Sequence, residues 1–391
     1  MKSNYKSIGE LVERIDQRNT DGTVTNLIGV SIDKKFIPSV ANVIGTDLTK
    51  YKVIEKYDFA VSLMQVSRDE KIPVACQTDF DRAIMSPAYP IFRVKDTNVI
   101  LPEYLEMWFM RPEFDREASF IAVGGVRGSM PWDDFANMKL PVPSIMEQHE
   151  IVSGYKAITE RIKLKKQIND NLVALGVASI QKNVGNGALI NLTDSEIENY
   201  ALKDGLEIKT VADFCSETKS GSTPSRAYNE FWNGGTISWV KSGEVHNNIT
   251  LKTEECITQE GLNGSSAKLL PKDTVLMAMY GVTAGEVGYL AIEATTNQAI
   301  CGMICSTKAE AAYLYFALIQ SQAAISRLSN GGAQDNLSKN FIDAIKLVVP
   351  PLEQINAMNL SAIIEQMTLN TKELYVLEEL QATSLAQLTR H

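Results

Sequence analysis

The sequence predicts an α+β fold written twice: two globular blocks, each followed by a long helix, with the helices pairing as an antiparallel coiled coil about an internal pseudo-twofold. Three observations carry this. "IAVGGVRGSMPWDDFANMKLPVP" at 121 to 143 and "LSNGGAQDNLSKNFIDAIKLVVP" at 328 to 350 share a Gly-Gly pair, a polar bend and a Lys-Leu strand ending in proline. A proline-poor run with helical spacing follows each copy, about 38 residues long. The blocks themselves mix short β-type runs (Thr274 to Tyr280, Lys346 to Val349) with helix-type runs (Glu103 to Met110, Ala309 to Ser321). A period near 200 residues is too long for a stacked solenoid and reads as a duplicated domain pair.

In chain order, residues 1–143 form the first block, 144–184 the first helix, 185–205 a Gly-, Asn- and acid-rich linker, 206–350 the second block and 351–391 the second helix. Tyr5 to Leu11 parallels Ile208 to Phe214 at the block openings, and Arg82-Ala83-Ile84 aligns with Gln298-Ala299-Ile300. In the second helix Leu360, Met367, Leu374 and Leu388 recur at multiples of seven, with Ile363 and Leu377 between them. Ile151, Tyr155, Ile158, Ile162, Ile168, Leu172 and Leu175 mark the stripe on the first. At about 1.5 Å per residue each helix spans roughly 57 Å. Antiparallel pairing joins residues whose numbers add to about 537, so Asn169 and Asn370 meet near the middle and fix the register.

Composition limits the function. The 391 residues, 45% hydrophobic and 22% charged, are those of a water-soluble globular protein. No apolar run is long enough to span a bilayer, and the amino terminus has no apolar signal core, so a cytoplasmic location is expected. The five cysteines show no zinc spacing and read as free thiols. A net charge of -9 leaves no strongly basic block, so any nucleic-acid affinity must come from local patches or a partner.

The combined motifs resemble one family. Each block ends in a Val-Pro element followed by Glu-Gln: Val142-Pro143 with Glu147-Gln148, and Val349-Pro350 with Glu353-Gln354. The second block opens Gly221-Ser222-Thr223-Pro224-Ser225, continues through Trp232-Asn233-Gly234-Gly235 and Ile237-Ser238-Trp239-Val240, and later carries Leu270 to Leu276 and Asn297-Gln298-Ala299. Together these are similar to the DNA specificity (S) subunit of type I restriction-modification systems. The first block lacks the Gly-Thr-Pro-Ser opening and has Asp81-Arg82-Ala83 where the second has Asn297-Gln298-Ala299.

That resemblance implies two target recognition domains, one per half of a bipartite, asymmetric DNA site. It implies helices that space the domains and dock two methyltransferase (modification) subunits, with Leu164, Ile364 and Val376 as contact candidates. Two ATP-dependent restriction subunits would join for cleavage. S-adenosylmethionine, ATP and Mg would bind the partners, leaving this chain without cofactor or metal. Candidate DNA contacts in the second block are Ser220, Ser222, Thr223, Arg226, Lys241, Ser242, Tyr280, Thr283 and Gln298. In the first block they are Lys34, Lys35, Gln65, Arg68, Arg82 and Arg127; Arg and Gln are the residues that pair bidentately with guanine and adenine.

Signals for catalysis fail. Ser86-Pro87-Ala88-Tyr89 resembles an amino-methyltransferase motif but has alanine for its second proline and no glycine-rich cofactor loop before it. Asp194 with Glu207-Ile208-Lys209 has nuclease-like spacing, yet the other copy carries no such acid. No phosphate loop and no His-Glu-x-x-His is present, so chemistry is expected in partners. The rival reading is a duplicated coiled-coil adaptor without DNA function, favoured by the acidic charge.

Overall fold

The computed structural model describes residues 4–39, 45–124, 128–190, 192–198, 205–246, 249–329 and 336–390. Backbone contacts divide it into two units, Met1–Ile162 with Leu377–His391, and Lys163–Val376.

Unit 1 is built on a four-stranded antiparallel sheet in the order Val12–Ile15, Ile91–Val94, Phe59–Val61, Val74–Cys76. Its inner face carries Phe59 and Phe92, stacked at 5.2 Å, against Phe109, Phe114 and Phe135 from the helices Pro102–Phe109, Pro112–Ile121 and Trp132–Asn137. These rings are fully buried and, at about 1.5–3 kcal/mol each, are the main driving term for this block. A strand pair, Lys52–Glu55 with Arg82–Met85, forms a separate small sheet.

Unit 2 repeats the scaffold: Glu217–Ser220, Ile300–Ile304, Thr274–Ala278 and Val287–Leu290 lie in the corresponding order, and Ile249–Thr250 adds a fifth strand. The buried helix Lys308–Ser329 covers that sheet with Tyr313, Tyr315 and Phe316. The opening and closing strands also match. Tyr5 lies opposite Pro141 in unit 1 and Ile208 opposite Val348 in unit 2. Within the segment read from sequence as a linker, Ala188–Leu189 forms a strand against Lys346–Val349, and both residues are buried.

The first long helix runs without interruption over Ile145–Asn183. Ser144 and Glu147 cap its start, while the buried Gln148 amide donates to the carbonyls of Val99 and Pro143 and its oxygen accepts from Leu101 N. The second departs from the expected single rod. A short helix, Leu352–Ala357, ends at Met358 and Asn359, whose φ is +52, before Leu360–Gln387 begins. Ile355 is buried at the position that Gln148 holds in the first copy, so apolar contact replaces three hydrogen bonds there.

The helices pair within each unit. In unit 1 Gln381 Nε2 donates to Thr159 Oγ1 at 2.9 Å. In unit 2 Asn370 Nδ2 donates to Asn169 Oδ1 at 3.0 Å, Lys165 Nζ donates to Asn370 Oδ1 at 3.1 Å, and Lys165 pairs with Glu373 at 2.8 Å. Leu360, Met367, Leu374, Leu377 and Leu388 are buried, but on the first helix Ile168 and Leu175 are exposed. An unsupercoiled helix drifts about 20° per heptad, which carries the stripe away from them. The buried positions become Gly176 and Ile180 instead, and the Phe316 ring packs so close that a Cβ at Gly176 would lie 2.3 Å from it. Ile364, expected to face a partner, is buried in the unit 2 core, whereas Leu164 and Val376 are exposed.

Candidate nucleic-acid interface

In unit 2 four loops meet at Asn297-Gln298-Ala299. Asn297 folds a tight turn: its Oδ1 accepts from Ala299 N at 3.1 Å and its carbonyl from Ile300 N. The loop after Glu217–Ser220 attaches through Ser222 N to Thr296 O at 2.9 Å. Gly221 is required there, since a Cβ would lie 2.1 Å from Thr296 Oγ1. The segment after Ile237–Val240 attaches through Asn297 N to Val240 O, and the loop after Thr274–Ala278 through Met279 N to Ala299 O at 2.7 Å. Finally, Leu337 N donates to Met279 O at 2.8 Å, placing the end of the Gly-Gly segment on the same rim.

This rim gathers Ser222, Thr223, Lys241, Ser242, Tyr280 and Gln298. Thr223 Oγ1 donates to Gln298 Oε1 at 2.5 Å, and Tyr280 bridges to Asn336 while 41% exposed. The cations are already partnered. Arg226 grips Glu255 with two bonds of 2.9 and 2.8 Å and stacks 3.5 Å over Trp232; Lys241 reaches Glu254 at 2.5 Å. The ion pairs hold Glu255 below its usual pKa, first through the Arg226 bond, and raise those of Arg226 and Lys241. Two candidates fall outside the rim. Thr283 is buried with its hydroxyl turned to Tyr280 O, and Ser220 sits within a strand opposite Cys301.

In unit 1 the candidates do not form one group, and only Gln65 and Arg68 meet. Lys34 is a correction: it is buried, pairs with Asp115 at 2.7 Å, donates to Phe109 O and lies over Phe114. Burial lowers its pKa, with Asp115 opposing the shift. Lys35 borders a cavity with Tyr57, Tyr155 and Gln381 on the helix side of the block. Arg82 stands opposite Glu55, at the end of its strand pair nearest the left-handed turn at Tyr57. Gln65 and Arg68 lie at the opposite end of the central strand, where Arg68 donates to Gln65 Oε1 at 2.6 Å and to Asp69. Arg127, with Gly125 and the Gly331-Gly332 pair, lies outside the described residues.

Residues 203–379 match the family described as the type I restriction modification DNA specificity domain. The matched segment lies in the second half of the chain. The match spans the whole rim just described. Along its length the chain is similar to the type I restriction enzyme HindI specificity subunit of Haemophilus influenzae, at 21% identity over 89% of this chain and 90% of that one. The EcoR124I/EcoR124II specificity subunit of Escherichia coli is 22% identical over 71% of this chain and 66% of its own. A crystal structure of a type I S subunit from M. genitalium shares the fold, with a TM-score of 0.57 and 15% identity over 99% of this chain and 96% of that one. The resemblance to type I specificity subunits therefore extends beyond the matched specificity domain into the first block.

The specificity domain's rim has a counterpart that the sequence alignment misplaced. Aligning Arg82-Ala83-Ile84 with Gln298-Ala299-Ile300 sets a strand of the smaller sheet against residues that follow the Asn297 turn, whereas the strand before that turn in unit 2 is Thr295–Thr296. By sheet position, Ile91–Val94 matches Ile300–Ile304, because Phe59 pairs with Phe92 as Val275 pairs with Met303. The segment entering that strand is Ser86-Pro87-Ala88, which the sequence shows only as a degenerate methyltransferase motif. Among the described residues no cluster of three or more metal-binding side chains occurs, and no helix is long and apolar enough to cross a membrane.

Proposed function

We propose that this chain is the non-catalytic, DNA-reading specificity subunit of a type I restriction-modification complex. Each block would read one half of a bipartite, asymmetric target, and the paired helices would set the spacing and carry two methyltransferase subunits. Exposed Leu164 and Val376 are suited to that docking. Two restriction subunits would join for cleavage, and S-adenosylmethionine, ATP and Mg would belong to the partners. The proposed domain division is that read from the sequence, with 1–143 and 206–350 as recognition blocks.

One observation carries the reading: a specificity-domain rim where loops of Ser, Thr, Gln and Tyr converge on the Asn297 turn. Such groups read base edges in a major groove, whereas an adaptor has no need for a polar loop cluster held by backbone bonds. The test is methylation mapping in cells with and without this gene. Loss of one bipartite adenine-methylation motif is expected; an unchanged methylome favours the adaptor.

A further inference from the structure

We propose that the first block reads its half-site with the rim formed by Arg18, Gln65, Arg68 and the Ser86-Pro87-Ala88 turn, and not with Lys35 or Arg82. This rests on the specificity-subunit reading and assigns residues to it. Matched hydrogen bonds hold the rims of the two blocks although the blocks have little sequence in common.

The turns coincide first. Ser86 Oγ accepts from Ala88 N at 3.4 Å and Ser86 O from Tyr89 N at 3.1 Å, as Asn297 Oδ1 accepts from Ala299 N and Asn297 O from Ile300 N. The loops beside them coincide too. Met130 N donates to Leu63 O at 2.8 Å, as Leu337 N donates to Met279 O at 2.8 Å, so each block ties the end of its Gly-Gly segment to the loop after its central strand. Those loops also turn alike, through left-handed Gln65 at φ +64 and Gly281 at φ +73. A non-glycine residue in that conformation is strained by about 1 kcal/mol or more and points to a constraint on the site.

The third element is the strand that leads in. Val12–Ile15 runs on to Asp16-Gln17-Arg18 where Glu217–Ser220 runs on to Gly221-Ser222, since Arg14 faces Phe92 as Thr218 faces Met303. Arg18 bridges to Lys52, whose strand neighbour is Met85. Its guanidinium is held by Lys50 O at 2.8 Å and Asp16 at 2.8 Å. This rim therefore presents two fixed guanidiniums, one amide and an apolar Pro87-Ala88 step, which suit guanine, adenine and the thymine methyl respectively. Lys35 and Arg82 lie at the other end of the block, beside Tyr57.

The experiment uses the full chain in its native host, with methylation read genome-wide. Arg18→Ala and Gln65→Ala are expected to lower methylation about tenfold or more and to relax bases in one half-site only. Gln65→Arg is expected to change the preferred base there, an outcome that a folding defect does not produce. Arg82→Ala and Lys35→Ala are expected to leave both half-sites unchanged. The assignment is overturned if either of these last two alters a half-site, or if the rim variants leave recognition intact. A wild-type chain that directs no methylation sinks the specificity-subunit reading itself.

Discussion

Arg226 shows how a cation is held in place on an acidic protein. Its guanidinium is clamped by Glu255 and flattened on Trp232, so little rotamer entropy remains to be lost, but its charge is largely neutralised. Removing the acid releases that charge. Glu255→Gln is expected to raise affinity for non-specific DNA and to steepen the salt dependence by about one phosphate contact, measured by fluorescence anisotropy across salt. Lys34 is the opposite case. Breaking its buried pair with Asp115 by Lys34→Ala is expected to cost about 3–5 kcal/mol in denaturant unfolding, with half-site preference unchanged in the folded fraction. Both lysines of Lys34-Lys35 look alike in sequence; only the 2.7 Å contact with Asp115, 81 positions away, tells them apart.

At the scale of elements, the helix pair depends on a polar layer. Asn370 is 1% exposed and bonds to Asn169, Lys165 and Gln366. Asn370→Ala is expected to destabilise by about 1–3 kcal/mol, and a double-mutant cycle with Asn169→Ala should return a coupling of about 1 kcal/mol. A second polar group lies where the helix Pro102–Phe109 meets the first long helix in unit 1. Burial pushes the Glu106 carboxyl up to about 7, with Glu103 adding to the shift and the Cys76 backbone N–H opposing it. A carboxyl raised in the fold is protonated there after the unfolded chain has lost its proton, so stability falls as pH rises from about 4.5 to about 7 and is flat above. Glu106→Gln is expected to remove that fall, gaining up to about 3 kcal/mol above pH 7 by urea titration and nothing below pH 4.

For the whole molecule, duplication explains most of what the structure repeats: the sheet order, the closing strands and the turn at the rim. Leu164 and Val376 are left exposed on the paired helices. Leu164→Glu and Val376→Glu sit on exposed faces and are expected to leave the melting temperature within about 2 °C. The same variants are expected to abolish co-purification of the methyltransferase subunit, and retained co-purification would place its docking elsewhere. The sequence by itself determined the α+β class, the repeat and the seam of the second helix, because these are written in periodicity and in local turn chemistry. Tertiary structure alone decided the break at Asn359, the drift of the first stripe to Gly176, the burial of Lys34 and Ile364, and the match of Ser86 to Asn297. The physical reason is that burial and sheet position depend on which distant backbone or ring lies opposite, which chain order does not record: Arg82 and Gln298 align by sequence, but Arg82 precedes the turn that enters the matching strand and Gln298 lies within it.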